Sequence, residues 1–260
     1  MPERAVWAGR PLTWVSLAGH AAATSQAGDG GGCHSDRAYR TIAKGMTGTK
    51  APVADRKAKA FLRKADPVLG RIIDAHPGFR PRAWLEDLPP LDAFGTLIFQ
   101  VAGQQLSVRA TRTIVSRIEE HFGGRLPTPA ELLAADPGVL RASGMSARKQ
   151  ETLRALAQRF VDGRLGDEAL SHMTDDEVEA ALTDVPGIGI WTAHGFLLVA
   201  LDRPDVFLSG DLALRRVIQR VYEFDHVPTG DEITELADRW RPYRSLAVSY
   251  LFASEYERES

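Results

Sequence analysis

The chain has 260 residues, enough to bury a proper core as one large domain or two small ones. Its formal net charge of −2 excludes a uniformly basic nucleic-acid binder, so any contact with nucleic acid must come from a local basic face or from backbone groups. One cysteine, Cys33, excludes a disulfide framework, a cysteine zinc site and a cysteine-ligated iron–sulfur cluster.

Residues 1–50 are rich in Gly, Ala, Ser and Thr, include Gly28-Asp29-Gly30-Gly31-Gly32, and show little periodicity; they read as a disordered N-terminal extension. Pro11 and His20 interrupt the apolar part of a stretch otherwise like a signal peptide, and Met46 is an alternative start. No apolar run is long enough for a membrane helix. No membrane partner is expected, and the lone cysteine fits a reducing cytoplasm.

From about Pro52 onward the pattern is helical. Leu91, Phe94, Leu97, Ile98 and Val101 form one stripe, and Ala110, Ile114, Val115, Ile118 and Phe122 the next. Thr128-Pro129-Ala130-Glu131 predicts an N-cap, a proline at the first helical position and a helix start. Leu153, Leu156, Ala157 and Phe160 form a third stripe; Leu214, Val217, Ile218 and Val221 form a fourth. Period-two alternation is missing, so the fold class is all-α, an array of helices in two lobes, or one lobe and a half, with a cleft between.

Between a helix ending near Thr183 and one starting near Ile190 lies Val185-Pro186-Gly187-Ile188-Gly189. Two glycines one residue apart permit positive φ and close approach of another backbone. The amides at the start of the second helix favour an anion, so this turn offers a phosphate cradle that needs no lysine. Val185 and Ile188 would pin the turn to its helices. The plainer reading is an αα-corner whose glycines only allow the turn. Downstream, in Phe207-Leu208-Ser209-Gly210-Asp211-Leu212, Asp211 enters the fourth stripe's helix, where aspartate is a favoured N-cap.

The string Pro186-Gly187-Ile188-Gly189 followed by Trp191-Thr192-Ala193 resembles the helix-hairpin-helix of DNA repair glycosylases. Ala102-Gly103-Gln104-Gln105-Leu106-Ser107-Val108 resembles the Gly-Gln-Gln-Leu-Ser segment of the 3-methyladenine DNA glycosylase II group. Ser143-Gly144-Met145-Ser146 with Lys149, and the run from Arg239 to Ala247, are similar to that group as well. These matches run from about residue 90 to 256, within a glycosylase domain expected over 51–260.

The resemblance implies a two-lobed helix-hairpin-helix glycosylase fold and a monofunctional enzyme that removes alkylated purines such as 3-methyladenine from double-stranded DNA. It implies that Asp211 is the catalytic carboxylate, that Gly187, Ile188, Gly189 and Thr192 hold a DNA phosphate, and that the carbonyls of Thr183, Val185 and Ile188 bind a monovalent cation, Na+ or K+. No other cofactor and no iron–sulfur cluster are expected, and a monomer is expected. Gln105 falls where a side chain fills the gap left by the flipped base; its alternative is a polar helix-terminal residue. Lys149 is a phosphate contact or a solvated lysine, and Arg215 and Arg216 add positive potential or form a solvated helix face. Trp191 and Phe252 match aromatic positions of the base pocket, with core packing as the alternative. A pocket tyrosine of better-known members falls on Gly195, which implies a roomier site. The Schiff-base lysine of the strand-nicking class falls on Trp191, so base removal without lyase activity is expected. Two rival readings remain: a non-catalytic DNA-binding module, and a glycosylase for oxidised or mismatched bases.

Overall fold

The computed structural model describes residues 51–80 and 91–256; the N-terminal extension, with Cys33, lies outside the described residues. In chain order the described helices are α1 (Ala51–Ala65), α2 (Pro67–Ala75), α3 (Ala93–Gly103), α4 (Val108–His121), α5 (Pro129–Ala134), α6 (Pro137–Ala142) and α7 (Ala147–Val161). They continue as α8 (Asp167–His172), α9 (Asp175–Thr183), α10 (Ile190–Val199), α11 (Leu212–Val221), α12 (Gly230–Ala237) and α13 (Arg244–Tyr256), with a 3-10 turn at Asp238–Trp240. No strand occurs among the described residues. None of these helices is long and apolar enough to cross a membrane.

The described chain divides into two compact units, one of residues 91–203, the other of 51–80 with 204–256. In the first, α3 packs against α4, α7 and α10. The sequence predicts one apolar stripe on α3, but the helix is buried all round: every residue of it except Gln100 is buried. Being surrounded by three helices requires that, and each large apolar side chain so buried contributes roughly 1.5–3 kcal/mol. The stripes on α4 and α7 are one-sided, with Ile114, Val115, Ile118, Leu153, Leu156 and Ala157 buried.

Helix starts follow local chemistry. Thr128 caps α5 in a reciprocal capping box with Glu131 and with Pro129 in the first turn, as the sequence predicts. The same Thr-x-x-Glu pattern caps α9 at Thr174 with Glu177, and α12 at Thr229 with Glu232.

In the second unit, α13 packs against α2 and α11. A buried carboxylate, Asp66, ties this unit together. Its Oδ1 accepts the amides of Val68 and Leu69 as the N-cap of α2. Its Oδ2 accepts Tyr222 Oη and Trp240 Nε1, both at 2.8 Å. Burial, and then the Asp66 charge, push the Tyr222 hydroxyl above its ordinary pKa, so it remains a donor.

Candidate active site

The turn between α9 and α10 has the predicted helix boundaries. Val185 and Ile188 are buried and anchor it, and the Ile188 amide donates to the Val185 carbonyl at 3.0 Å. The two glycines differ. Gly187 has φ +91°, and a Cβ there would overlap Thr152 Oγ1. Gly189, by contrast, has φ −103°, within the range of any residue, and a Cβ there would meet no atom within 4 Å. The conformation of the chain itself therefore requires glycine at 187 only. Gly189 is the N-cap of α10, and no side chain caps this helix. Most other helix starts here carry a Ser, Thr or Asp cap. The first turn of α10 thus has no N-cap side chain set over it, the arrangement that suits an anion.

Thr192, expected on the DNA-facing side, is placed differently. Its side chain is buried, its hydroxyl lies 3.3 Å from Gln104 Nε2 as an acceptor, and its amide donates to the Gly189 carbonyl. Its position two residues into the helix turns the hydroxyl towards α3 rather than outward. Of the three carbonyls expected to face a cation, Val185 accepts the Ile188 amide. No backbone amide outside the helices donates to Thr183 or Ile188 among the described residues.

Gln105 is exposed at the tight turn between α3 and α4 and has φ +59°. A non-glycine residue in that region is strained and persists only where its surroundings impose it. Two residues impose it here. Lys149 Nζ donates to the carbonyls of Ala102 at 2.9 Å and Gln104 at 2.8 Å, closing the C-terminal end of α3. The Gln104 side chain donates to the Gly187 carbonyl at 3.1 Å, tying the Gln105 turn to the glycine turn. Lys149 is therefore neither a solvated lysine nor directed outward in this conformation; burial lowers its pKa. Gln104 lies within the Gly-Gln-Gln run, where the resemblance assigns a role to Gln105 instead. Thr152, whose hydroxyl donates to the Pro186 carbonyl at 2.9 Å, carried no sequence signal.

Asp211 is the N-cap of α11, as its residue type predicts: Oδ1 accepts the Leu214 amide at 3.0 Å, and the residue is 6% exposed. The loop before it is fixed by the C-terminal run. Arg244 Nε donates to Asp205 Oδ1 at 2.8 Å, and Arg241 Nη1 to Asp205 Oδ2 at 2.8 Å. Ser245 Oγ accepts the Val206 amide at 2.9 Å, and the Ser245 amide donates to the Pro204 carbonyl. Of the two arginines after Asp211, Arg215 is turned to the Pro228 carbonyl and Arg216 is exposed.

Among the aromatic candidates, Trp191 is half-buried on α10, whereas Phe252 is 1% exposed on α13, the exposure of a core side chain. Gly195 is buried, one helical turn beyond Trp191 on the same face. Ile190, the first residue of α10, is 57% exposed, so an apolar side chain stands at the uncapped helix start.

The model of HhH-GPD superfamily base excision DNA repair proteins matches residues 98–242, a span that holds Gln105, the glycine turn and Asp211. The chain is 30% identical over 198 residues to DNA-3-methyladenine glycosylase 1 of Schizosaccharomyces pombe, covering 75% of this chain and 86% of that protein. It is 30% identical over 232 residues to DNA-3-methyladenine glycosylase 2 of Escherichia coli, covering 82% of this chain and 76% of that protein. Among solved structures it is similar to the S. pombe 3-methyladenine DNA glycosylase in complex with abasic DNA, with a TM-score of 0.68, 28% identity, and 76% of this chain and 96% of that one covered. The chain belongs to the HhH-GPD superfamily of base excision DNA repair proteins.

Proposed function

We propose that this protein is a monofunctional DNA glycosylase that hydrolyses the N-glycosidic bond of alkylated purines, such as 3-methyladenine, in double-stranded DNA. The observation that carries the reading is Asp211, a carboxylate set in a buried position and fixed by the first turn of α11. Losing a base from deoxyribose builds positive charge on the sugar, as in glycoside hydrolysis. A fixed carboxylate with few solvent contacts stabilises that charge strongly, because it needs no reorganisation as the charge develops. The same group orients and deprotonates the attacking water. A cationic alkylated purine leaves readily, so departure needs little acid catalysis.

The remaining residues have binding roles in this reading. The first-turn amides of α10, with Gly187, Ile188 and Gly189, take a backbone phosphate. Gln105 on its strained turn fills the gap left by the everted nucleotide, and Trp191 stacks on the base. The Thr183 and Ile188 carbonyls retain lone pairs that fit a monovalent cation at the turn, which would add positive charge beside the phosphate. The ten residues of α10 include no lysine, which supports base removal without strand cleavage.

Incubating the purified protein with methylated DNA should release 3-methyladenine. Asp211→Asn keeps an acceptor for the Leu214 amide, so it should fold and bind DNA while base release falls by about 10²-fold or more, the usual scale for losing such a group. Release by the variant at the wild-type rate refutes the catalytic role. Tight DNA binding with no release by the wild type favours a binding module. A protein–DNA adduct trapped by borohydride refutes the monofunctional assignment.

A further inference from the structure

Gln100 is the one residue of α3 that is not buried, yet both polar atoms of its carboxamide are buried and have no hydrogen-bond partner. Buried amides are nearly always satisfied, so an orphaned donor and acceptor on one side chain call for an explanation. The carboxamide lies against Gly195. A Cβ on Gly195 would stand 3.2 Å from Gln100 Oε1 and 3.4 Å from Nε2, tighter than ordinary contact. The glycine is thus what gives the amide its place, and a larger side chain at 195 would need the volume the amide occupies. Gly195 and Trp191 share one face of α10, so the amide packed on Gly195 lies along the face that carries the half-buried indole.

We propose that Gln100 is a specificity-determining residue of the base site, its carboxamide hydrogen-bonding an everted base that presents an N–H donor next to a carbonyl acceptor. This rests on the glycosylase reading above. The pairing is complementary: a lactam edge such as that of hypoxanthine donates N1–H to Gln100 Oε1 and accepts Gln100 Nε2 at O6. A site built to hydrogen-bond a base rejects an analogue without those groups, because its own amide stays unpaired. Gln100 and Gly195 together set a hydrogen-bonding edge where an aromatic ring would only stack.

The test compares single-turnover release of hypoxanthine and of unsubstituted purine from otherwise identical duplexes, with 3-methyladenine release as a third reading. Intrinsic leaving ability cancels when the hypoxanthine-to-purine ratio is compared between proteins. Gln100→Met preserves the volume and removes the hydrogen bonds, and replacing unsatisfied polar atoms by apolar ones should not lower the melting temperature. The ratio is expected to fall at least tenfold in Gln100→Met. Gly195→Ala, which displaces the amide by a few tenths of an ångström, should move it in the same direction and covers the case of a poorly folding methionine variant. A ratio unchanged within twofold in the folded variants overturns the proposal, since an amide that only packs would leave it unmoved. Release of 3-methyladenine with an unchanged ratio refutes this inference alone. No base release from any DNA by the wild type refutes the glycosylase reading and this inference with it.

Discussion

The Thr152 hydroxyl occupies the space where a side chain on Gly187 would begin, and it holds the Pro186 carbonyl at 2.9 Å. Gly187 is in turn at φ +91° and offers its own carbonyl to Gln104. One residue of α7 and one of the α3–α4 connection therefore fix the shape of the glycine turn from within. Gly187→Ala should cost about 2–4 kcal/mol, combining left-handed strain with overpacking. Thr152→Ala removes the overlap but not the strain. The double variant should then be less destabilised than the two single losses added together. Urea unfolding of the four proteins measures this; strict additivity would mean that the two residues do not couple.

Gly189 makes the opposite prediction. Its φ is negative and the space beyond its Cα is open. Gly189→Ala should fold with stability changed by less than about 1 kcal/mol, the gain from a less flexible unfolded chain being set against alanine's poorer fit to an N-cap. Its affinity for DNA should fall by roughly tenfold or more, because a methyl group stands where a phosphate approaches the first-turn amides. Thermal melting and a fluorescence-anisotropy titration separate the two effects. Lost stability with retained affinity would mean that Gly189 serves the fold.

That contrast marks what was legible in the sequence. Features set within a few residues could be read: the Thr128 capping box, the end of α9 and the start of α10, the one-sided stripes of α4 and α7, and Asp211 as a helix cap. Features that depend on a partner far along the chain could not. Asp66 meets Tyr222 and Trp240 across 156 and 174 residues, and Lys149 reaches carbonyls 47 and 45 residues away. A G-x-G string does not say which glycine the backbone needs, because φ depends on how the turn is held. Thr192 is expected at the DNA phosphate, and only the packing of α10 against α3 turns its hydroxyl inward. Gln100 reads as a polar residue in an apolar helix; its lack of a partner appears only once Gly195 is opposite it.

His226 gives a pH dependence. Its Nδ1 lies 2.6 Å from Asp225 Oδ1, and its Nε2 lies 3.1 Å from Glu232 Oε1. Those hydrogen bonds, Asp225 first and Glu232 second, raise its pKa above the ordinary 6.5. The folded protein thus keeps the proton at a pH where the unfolded chain has lost it. The stabilisation is fully present below 6.5 and is lost as the pH rises through the folded-state value. The melting-temperature difference between the wild type and His226→Gln should be largest below 6.5 and fade as the pH rises through the folded-state value. A difference that grows with pH would contradict the assignment.

Lys149 separates positioning from direct DNA contact. Its ammonium is directed at the Ala102 and Gln104 carbonyls, and it shares the Gln105 turn with the Gln104 bridge to Gly187. Replacing it by methionine keeps the stem and leaves two carbonyls without their charged donor, which should cost about 1.5–3 kcal/mol on the usual scale for hydrogen bonds to a charged group. The Gln105 turn, already strained, should loosen, so the rate of base release should fall more than DNA affinity does. A phosphate contact makes a different mark: its loss lowers the slope of log affinity against log salt by about 0.9. The expected result for Lys149→Met is lower stability and slower release with the salt slope unchanged, because the positive charge points into the protein. A slope reduced by a full phosphate contact, with stability unaffected, would place the ammonium on the DNA instead.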